Sequence, residues 1–514
     1  MHDCSPGAAN DAGIRKGIAS GVRWTYLSLV VQAIVKIAVI FILARLLGPR
    51  EFGLLGYALM CTTFLERVAQ LGVGPALVQQ RNIDDDMLRT AQVLSIASGV
   101  LSMLAIYCGA GLVAAFFSEP ELRLMLQVLS VGCFIEALSV ISDSLLQREL
   151  RFREIMIAET LSYFAAMGLI AILLAYLGFG VWALVMATLV LKIIRWSVLW
   201  YCAPAVQFGV WSARHARELA RVSLGFSLGR LFNFFSLQGD NFVVGRILGV
   251  DALGMYTRAY QLMTLPAMYV GQIFERVMFP AMARTQASSV ALRVQFLFSL
   301  EAIGLIAMPA GVLLYLLGHE IVVVGFGERW EPVVPVVSVL SFGVFFRTAY
   351  KCSDTVVRSQ GAVYNYALRQ VVYTMLIVGG AWSGATLAGL HGVAVGVVMA
   401  IALNYLSMTL VSKKIVQVSW RELIGAHLPG LNIALWCGIG VYAAHEWISN
   451  LTASAFIMLV ISGLSGVLAG LTGGLIMWGL LPSRVLTFAM EMWSAQRLRR
   501  QRSTSPSLAV PAGR

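Results

Sequence analysis

The amino-acid sequence predicts an all-α polytopic membrane protein with about 14 transmembrane helices. Of its 514 residues, 59% are hydrophobic and only 12% are charged, a composition that soluble globular proteins do not have. Apolar runs of about 18 or more residues recur along almost the whole chain, and each is long enough to cross a bilayer as a helix. In addition, a short motif occurs twice at a fixed offset, which predicts an internal duplication.

The candidate spans follow one another with short connections that leave no room for a separate folded domain. They are 20–47, 52–71, 91–117, 122–146, 155–177, 180–202, 224–247, 253–281, 291–317, 333–358, 363–381, 389–411, 429–447 and 455–481. The second, seventh and eighth spans are the most polar, so we expect other helices or water to surround them.

The repeated motif begins at Arg45 and reads Arg-Leu-Leu-Gly-Pro-Arg-Glu-Phe-Gly. Its second copy begins at Arg246, 201 residues later, and reads Arg-Ile-Leu-Gly-Val-Asp-Ala-Leu-Gly. Each copy closes one apolar segment and opens another, so we expect a turn at Gly48 and at Gly249 between two helices. The arginine then lies near a helix C-terminus, where a cation complements the helix dipole and can reach the headgroups.

The offset also predicts two equivalent lobes. Six spans separate the two copies, so both halves enter the membrane with the same polarity, which makes a parallel repeat with its axis along the membrane normal. The predicted organisation is a cytoplasmic tail (1–19), an N-terminal six-helix lobe (20–201), a cytoplasmic bridge (202–222), a C-terminal six-helix lobe (223–412), a connector with two additional spans (413–482) and a basic cytoplasmic tail (483–514).

The basic residues between the spans determine the orientation. Those on one side are Arg15, Lys16, Arg81, Arg89, Arg148, Arg151, Arg153, Arg214, Arg217, Arg221, Arg284, Arg293, Arg358, Lys413, Lys414, Arg421 and the basic tail. The other side has little beyond Arg50, Arg123, Arg246 and Arg329. The positive-inside rule therefore predicts that both termini are cytoplasmic, which requires an even number of spans. The net charge of +12 reflects this topology rather than binding to nucleic acid.

Patterns typical of enzymes and metal sites are weak in this sequence. The seven cysteines occur singly, so we expect neither a zinc site nor a disulfide framework. The acidic run at Asp84–Asp86 is typical of the first turn of a helix rather than of a metal–nucleotide site. His319-Glu320 lacks the second histidine of a zincin motif, and no Ser/His/Asp constellation is found. We expect no cofactor, and no cleavage pattern of a removable signal peptide precedes the first span.

Ionisable residues inside the spans are the strongest functional signal, because each costs about 2.5–3.5 kcal/mol at the centre of the bilayer. Lys36 lies 12 residues from both Trp24 and Gly48, which places it about 18 Å from either end of its helix. That depth excludes snorkelling as its whole explanation. Lys36 either forms an ion pair with an acid such as Glu66 or Glu136, or contacts a substrate.

The tenth span carries Arg347, Lys351, Asp354 and Arg358 on one helical stripe, and Arg230 and Asp240 lie in the seventh. The cations among the central residues suit an anionic cargo, which gives Lys36, Arg230, Arg347 and Lys351 as candidate binding residues. Three acids, Asp240, Glu66 and Asp354, are candidates for exchanging a proton or holding sodium, or are permanent ion-pair partners. Further intramembrane charges are Asp143, Glu159, Lys192, Arg258, Glu275, Arg276 and Glu301.

Two stretches carry a resemblance to a known family. The segment Ala44–Tyr57 and the segment Asp240–Tyr256, followed by Arg258-Ala-Tyr260, resemble signatures of bacterial polysaccharide-export flippases. These are oligosaccharide-lipid flippases of the multidrug/oligosaccharidyl-lipid/polysaccharide superfamily, and the resemblance covers about 14–482 of this chain.

The resemblance implies a V-shaped pair of six-helix lobes in the bacterial inner membrane. It also implies alternating access that carries undecaprenyl-pyrophosphate-linked oligosaccharide repeat units from the cytoplasmic to the outer leaflet for surface or extracellular polysaccharide. A polysaccharide polymerase and glycosyltransferases are the implied protein partners. The buried cations would offset the desolvation of the pyrophosphate, and we expect them to line the space between the lobes.

Two other functions remain open at this point. A drug/cation antiporter of the same superfamily would need a mainly acidic or aromatic cavity, whereas the central charges here are cationic. A membrane polysaccharide polymerase or ligase would need a substantial external loop, and the longest one, near 318–332, has about fifteen residues.

The topology gives the first test. Reporter fusions after residues 150, 215 and 420 should be active in the cytoplasm, and fusions near 120 and 325 should be active outside. An odd number of spans between any two loops assigned to the same side would contradict this orientation.

Overall fold

The computed structural model describes residues 32–69, 73–80, 83–204, 212–284, 289–359, 363–450, 454–478 and 484–485. Within these residues the secondary structure is helical, with no β-strand. The predicted all-α class is therefore confirmed.

The helices follow each other closely along the chain. They are α1 (32–46), α2 (Pro49–Ala69), α3 (Val73–Gln79), α4 (Asp85–Phe117), α5 (Glu121–Arg148), α6 (Phe152–Tyr163), a π-helix (Phe164–Ala171), α7 (Ile172–Tyr176), α8 (Val181–Cys202), α9 (Ala213–Leu248), α10 (Val250–Arg284), α11 (Ser289–Leu316), α12 (Gly318–Gly325), a 3₁₀ helix (Glu328–Val333), α13 (Val334–Ser341), α14 (Gly343–Ser359), α15 (Val363–Val416), α16 (Trp420–Ser449) and α17 (Ala455–Trp478).

Eight helices in the described part of the chain are long and apolar enough to cross a membrane, or nine if the bent pair Glu328–Ser341 and Gly343–Val357 is one span. The chain is therefore a multi-pass membrane protein. The helices α2, α9 and α10 correspond to the second, seventh and eighth predicted spans, which are the most polar. Over their described residues, none of the three is apolar enough to count among these eight helices. The count of fourteen stays a prediction.

The long element α15 is a hairpin of two helices. Ala388 and Gly389 have non-helical backbone angles, with φ of −145° and 59°. Gly380 and Gly396 would be about 24 Å apart in a straight helix, yet a Cβ added to Gly380 would lie 2.8 Å from the carbonyl oxygen of Gly396. The break lies between the predicted spans 363–381 and 389–411, so the two spans run in opposite directions.

The helices form two compact units, which we describe separately. The first comprises Met1–Gln261, Ile321–Val336 and Ala367–Ala400, and the second comprises Leu262–Glu320, Val337–Tyr366 and Ile401–Arg514. The predicted lobe boundaries, 20–201 and 223–412, concern the duplication and stay a prediction.

In the first unit, both copies of the repeated motif form the expected turn between two helices. The first copy links α1 to α2 through Gly48, and the second links α9 to α10 through Gly249. Gly249 has a φ of 87°, a conformation that residues with a side chain rarely adopt. At the first turn, the Gly48 amide donates a hydrogen bond of 2.9 Å to the Glu51 carboxylate.

The two copies also pack directly against each other. A Cβ on Gly53 would overlap the carbonyl oxygen of Val250, and a Cβ on Gly254 would overlap the carbonyl oxygen of Pro49. Gly254 lies 201 residues after Gly53, and Val250 lies 201 residues after Pro49. The contact is therefore reciprocal, as expected where a duplicated element meets its own copy around a pseudo-twofold axis.

Buried side chains cap the carbonyl groups where the first helix of each copy ends. The Tyr57 hydroxyl donates to the Gly245 carbonyl oxygen over 2.7 Å, and the Trp330 indole donates to the Ala44 carbonyl oxygen over 2.9 Å. Both aromatic residues are fully buried. Ala44 and Gly245 are equivalent positions of the repeat, and the carbonyl groups at the end of a helix lack partners within that helix. Trp330 donates to this carbonyl in the first copy, and Tyr57 donates to it in the second.

The motif arginines lie close to the ends of α1 and α9, as expected. Arg45 donates hydrogen bonds to the carbonyl oxygens of Val324 and Gly325, which belong to the last turn of α12. The Arg246 guanidinium lies 5.0 Å from the centre of the Phe116 ring. Both arginines therefore have structural contacts within this unit.

The second unit contains the additional helices α16 and α17. Gly430 of α16 approaches the backbone of Gly304 in α11 so closely that a Cβ could not fit between them. At the beginning of α16, Arg293 forms an ion pair of 2.6 Å with Glu422, and Glu422 also closes a capping box with Ser419. These contacts fasten α16 to α11.

The reciprocal glycine contact can be tested by adding one methyl group. We expect Gly53→Ala to lower the thermal unfolding midpoint of the purified protein, because the Cβ has no room and overpacking costs about 1–3 kcal/mol. Gly109→Ala in α4 is the matched control, since nothing lies within 4 Å of its Cβ position and alanine favours a helix. Equal midpoints for the two variants would contradict the close contact.

Candidate functional site

Four cations of the membrane-embedded helices fall into two groups, which differ in their partners: Lys36, Lys192, Arg195 and Arg258. In one group a cation faces a carboxylate. In the other group a cation faces an aromatic ring. The first unit contains both groups, and the difference between them defines the candidate site.

Glu66 and Lys192 belong to the first group. They form an ion pair between α2 and α8, with only 14% and 15% of their side chains exposed, and the Cys133 thiol donates to the same carboxylate over 3.4 Å. This geometry favours the permanent ion pair that the sequence analysis gave as the alternative for Glu66. A role of Glu66 in ion coupling stays a prediction.

Arg195 lies one turn further along α8 and connects two acids of α5. Its guanidinium is 3.3 Å from the Glu136 carboxylate and 3.2 Å from the Asp143 carboxylate. Neither Glu66 nor Glu136 therefore serves as the partner that the sequence analysis considered for Lys36. Together with Lys192, Arg195 connects α2, α5 and α8 through partly buried ion pairs.

Lys36 belongs to the second group. Its side chain is partly buried in α1, and its ammonium lies 5.6 Å from the centre of the Tyr163 ring at the end of α6. It forms no ion pair with any carboxylate in the described part of the chain. Its positive charge is therefore held next to an aromatic face without being neutralised.

Arg258 of α10 is in the same situation. Its guanidinium lies 4.0 Å from the centre of the Phe52 ring, and one of its amino groups donates to the Gln261 side chain over 2.5 Å. Among the described residues, its Nε is buried without a hydrogen-bond partner, and no carboxylate forms an ion pair with it. Arg258 therefore keeps both its charge and a buried donor.

Arg258 and Lys36 both belong to the first unit. Tyr163, which faces Lys36, is also within electrostatic range of Arg258. The sequence analysis noted Arg258 as an intramembrane charge but did not place it in the site. In the repeat, Arg258 stands where the first copy has Tyr57, directly before the matching Ala259 and Ala58.

The remaining predicted residue of the first unit with described contacts is Asp240. It is 1% exposed in α9, and the Tyr256 hydroxyl donates to its carboxylate over 2.8 Å. Arg230 also lies in α9, but its side chain is outside the described residues. Whether Arg230 contacts the cargo therefore stays a prediction.

In the second unit, α14 carries the charged stripe. The Arg347 guanidinium is 5.9 Å from the centre of the Tyr350 ring, and the Lys351 side chain packs on Gly271 of α10, whose added Cβ would lie 2.7 Å from the Lys351 ammonium. Asp354 is 8% exposed, and the side chain of Arg358 is outside the described residues. The helix Gly343–Ser359 places these four positions on one face.

In chemical terms, Lys36 and Arg258 of the first unit are cations that can pair with an anion, and α14 of the second unit carries the cations Arg347 and Lys351. Amide and hydroxyl side chains accompany them in the first unit, including Gln32, Thr160 and Gln261. The described residues contain no group of three or more His, Cys, Asp or Glu side chains arranged to hold a metal.

Comparison with solved structures identifies the fold. The chain matches the lipid II flippase MurJ in an inward closed conformation, with a TM-score of 0.73 and 14% identity over 89% of this chain and 99% of that chain. It also matches an inward-facing multidrug resistance MATE transporter of the MOP superfamily, with a TM-score of 0.61 and 18% identity over 75% of this chain and 94% of that chain. The chain therefore has the helical fold that these two membrane proteins share.

Relatives with curated names have a higher sequence identity to this chain than these two solved structures have. The teichuronic acid biosynthesis protein TuaB of Bacillus subtilis is 26% identical over 68% of this chain and 72% of its own length. The lipopolysaccharide biosynthesis protein WzxC of Escherichia coli is 25% identical over 80% of this chain and 84% of its own length. The succinoglycan biosynthesis transport protein ExoT of Rhizobium meliloti is 27% identical over 63% of this chain and 66% of its own length.

The family is shown by a match that covers more than half of the chain. Residues 42–335 match the family described as polysaccharide biosynthesis protein, and the chain belongs to this family. The match includes both copies of the repeated motif.

Measurements of protein stability can distinguish a structural role of the Glu66–Lys192 ion pair from a role of Glu66 in transport. We expect Glu66→Gln and Lys192→Met each to lower the thermal midpoint, because removing one partner leaves a buried charge at a cost of about 3–5 kcal/mol. The double variant should recover most of the loss. If both single variants kept the wild-type midpoint while Glu66→Gln abolished export, Glu66 would be a coupling residue instead.

Proposed function

We propose that this chain is a transporter, not an enzyme, that carries lipid-linked oligosaccharides with an anionic pyrophosphate head across the membrane. The single observation that carries the proposal is the pair Lys36 and Arg258, two cations in membrane helices without a carboxylate partner among the described residues. An isolated charge in this environment is costly, so a cargo that supplies the opposite charge accounts for both.

Phosphate oxygens suit these two residues chemically. A guanidinium donates two parallel hydrogen bonds to a phosphate group, whereas an ammonium acts as a compact point charge. The Nε of Arg258, which is buried and has no hydrogen-bond partner in the described part of the chain, is a donor of the required kind. We assign Arg230, Arg347 and Lys351 to the same cargo as further cationic contacts.

The relatives support the glycan part of the proposal. TuaB, WzxC and ExoT are named for the biosynthesis of teichuronic acid, lipopolysaccharide and succinoglycan, and the name of ExoT specifies transport. The cargo of this chain is, in our proposal, an undecaprenyl-pyrophosphate-linked repeat unit that moves from the cytoplasmic to the outer leaflet by alternating access. The lipid tail can remain in the bilayer while the head moves.

The proposal includes the cellular setting. The protein resides in the bacterial inner membrane with both termini in the cytoplasm, in line with the distribution of its loop arginines and lysines. Glycosyltransferases on the cytoplasmic side supply the cargo, and a polymerase on the outer side consumes it.

We also propose that transport is coupled to a proton or sodium gradient. The candidates are Asp240, Asp354 and Glu66; the first two are buried, and Glu66 forms an ion pair with Lys192. A buried acid beside cations can change its protonation when access alternates. Cargo movement in vesicles that is indifferent to both gradients would exclude coupling.

A drug/cation antiporter is the second candidate, because the fold also matches a multidrug transporter. Such a cargo is positively charged, and the unpaired cations of the first unit would repel it. The observation that decides between the two cargoes is therefore the sign of the charge around Lys36 and Arg258.

The test uses neutral variants in the native host. We expect Lys36→Met or Arg347→Met to abolish polysaccharide export, with cargo accumulating in the inner leaflet, because the anionic head loses a cationic contact. Arg347→Lys should retain part of the activity, since its charge survives although its fork geometry is lost. Export and lipid-linked oligosaccharide should be quantified together, and protein abundance is the control.

Normal export by well-expressed single and combined neutral variants of Lys36, Arg230, Arg347 and Lys351 would contradict the cargo site.

A further inference from the structure

The way in which the first unit holds Lys36 and Arg258 suggests a role for the rings that these cations face. Lys192 and Arg195 face carboxylates, whereas Lys36 and Arg258 face Tyr163 and Phe52. The same unit therefore uses two kinds of partner for its buried cations.

The choice of partner has a chemical consequence. A carboxylate orients a cation but neutralises it, and a phosphate would then compete with that carboxylate for the same charge. An aromatic face attracts the cation through its quadrupole, carries no net charge, and leaves the N–H donors at the edge of the cation free to bind. A ring is thus the partner that positions a cation while keeping it available to an anion.

The geometry around Arg258 fits this description. Phe52 is only 3% exposed, and its ring also packs against the ring of Trp330, with 5.6 Å between the centroids. The guanidinium lies 4.0 Å from the Phe52 centroid, and Gln261 binds one of its amino groups. The Phe52 ring and the Gln261 side chain thus hold the guanidinium in place together.

The geometry around Lys36 adds a second feature. Tyr163 is the last residue of α6, and the π-helix Phe164–Ala171 begins directly after it. π-Helical turns are less stable than α-helical ones and occur frequently at functional sites, because the wider turn changes the direction of neighbouring side chains. Here the irregular turn occurs next to the ring that faces Lys36.

We propose that Phe52 and Tyr163 are positioning residues of the anion site: each holds one cation, Arg258 or Lys36, in the orientation that receives a diphosphate. The inference rests on the proposed function, since it assumes that these cations bind the anionic head. It goes further by assigning a role to two uncharged residues that do not themselves contact the anion.

The test measures diphosphate binding to the purified full-length chain in lipid nanodiscs. Farnesyl diphosphate is the probe, farnesol is the uncharged control, and calorimetry gives the dissociation constant. We expect Phe52→Leu and Tyr163→Leu each to weaken farnesyl diphosphate binding by about 2- to 30-fold, the range that corresponds to cation–π energies. Phe52→Tyr and Tyr163→Phe keep the ring and should bind close to the wild type.

A double-mutant cycle distinguishes positioning from simple packing. In an Arg258→Met background, Phe52→Leu should cause no further loss of binding, because the cation that the ring holds is gone. In a Lys36→Met background, the effect of Tyr163→Leu should shrink in the same way. A matched control is Trp420→Leu, which removes the ring that lies 4.8 Å from the Lys413 ammonium, and it should leave farnesyl diphosphate binding unchanged.

The outcomes separate the two proposals. If Lys36→Met and Arg258→Met bind farnesyl diphosphate as tightly as the wild type, the proposed cargo site itself is wrong. If these variants weaken binding but the leucine variants do not, or if Phe52→Leu weakens binding equally in the Arg258→Met background, the positioning role is wrong and the cargo site stands.

Discussion

The contact between the two copies of the repeated motif is the constraint on which the arrangement of the first unit depends. Gly53 meets the backbone of Val250, and Gly254 meets the backbone of Pro49, at a distance that excludes any Cβ. Membrane helices gain little from hydrophobic attraction to one another, so close backbone packing between small residues is a main source of their association. This crossing places α2 against α10, and α10 in turn carries Arg258 to the ring of Phe52 on α2.

Charge inside the membrane helices is the second constraint, and these cations have two kinds of partner. Carboxylates pair with Lys192 and Arg195 and hold α2, α5 and α8 together. Rings face Lys36 and Arg258 and leave their charge unpaired. A cation without a carboxylate partner costs more free energy to bury than one in an ion pair, but only the cation without such a partner remains open to an anionic ligand. This difference connects the packing of the first unit with the anionic cargo that we propose.

Much of the fold could be predicted from the sequence because the signals are regular. Hydropathy predicts the helices, and the repeated motif predicts the turns at Gly48 and Gly249, which the structure confirms. The reciprocal contact of Gly53 and Gly254 was not predicted, because a sequence offset shows equivalence but not proximity. The reversal at Ala388 and Gly389 lies between the predicted spans 363–381 and 389–411, so hydropathy located it as well.

The site was predicted less completely, for a physical reason. Sequence reasoning finds a buried charge from its position in a span, but its partner lies on another helix. The sequence therefore left open whether Lys36 pairs with an acid, and it gave no means of seeing that Glu66 pairs with Lys192. Arg258 was visible as a charge, yet its importance depends on Phe52 and on the absence of a carboxylate partner among the described residues.

The central claim is that the chain carries an anionic lipid-linked glycan by means of the unpaired cations of its first unit. The most direct measurement reconstitutes the purified protein in vesicles with a fluorescent undecaprenyl-pyrophosphate-linked sugar and follows quenching by a reagent that reaches only the outer leaflet. The account predicts protein-dependent movement between leaflets by the wild type, and movement at the rate of protein-free vesicles for a folded Lys36→Met/Arg258→Met variant. Equal movement by the wild type and this variant would contradict the account.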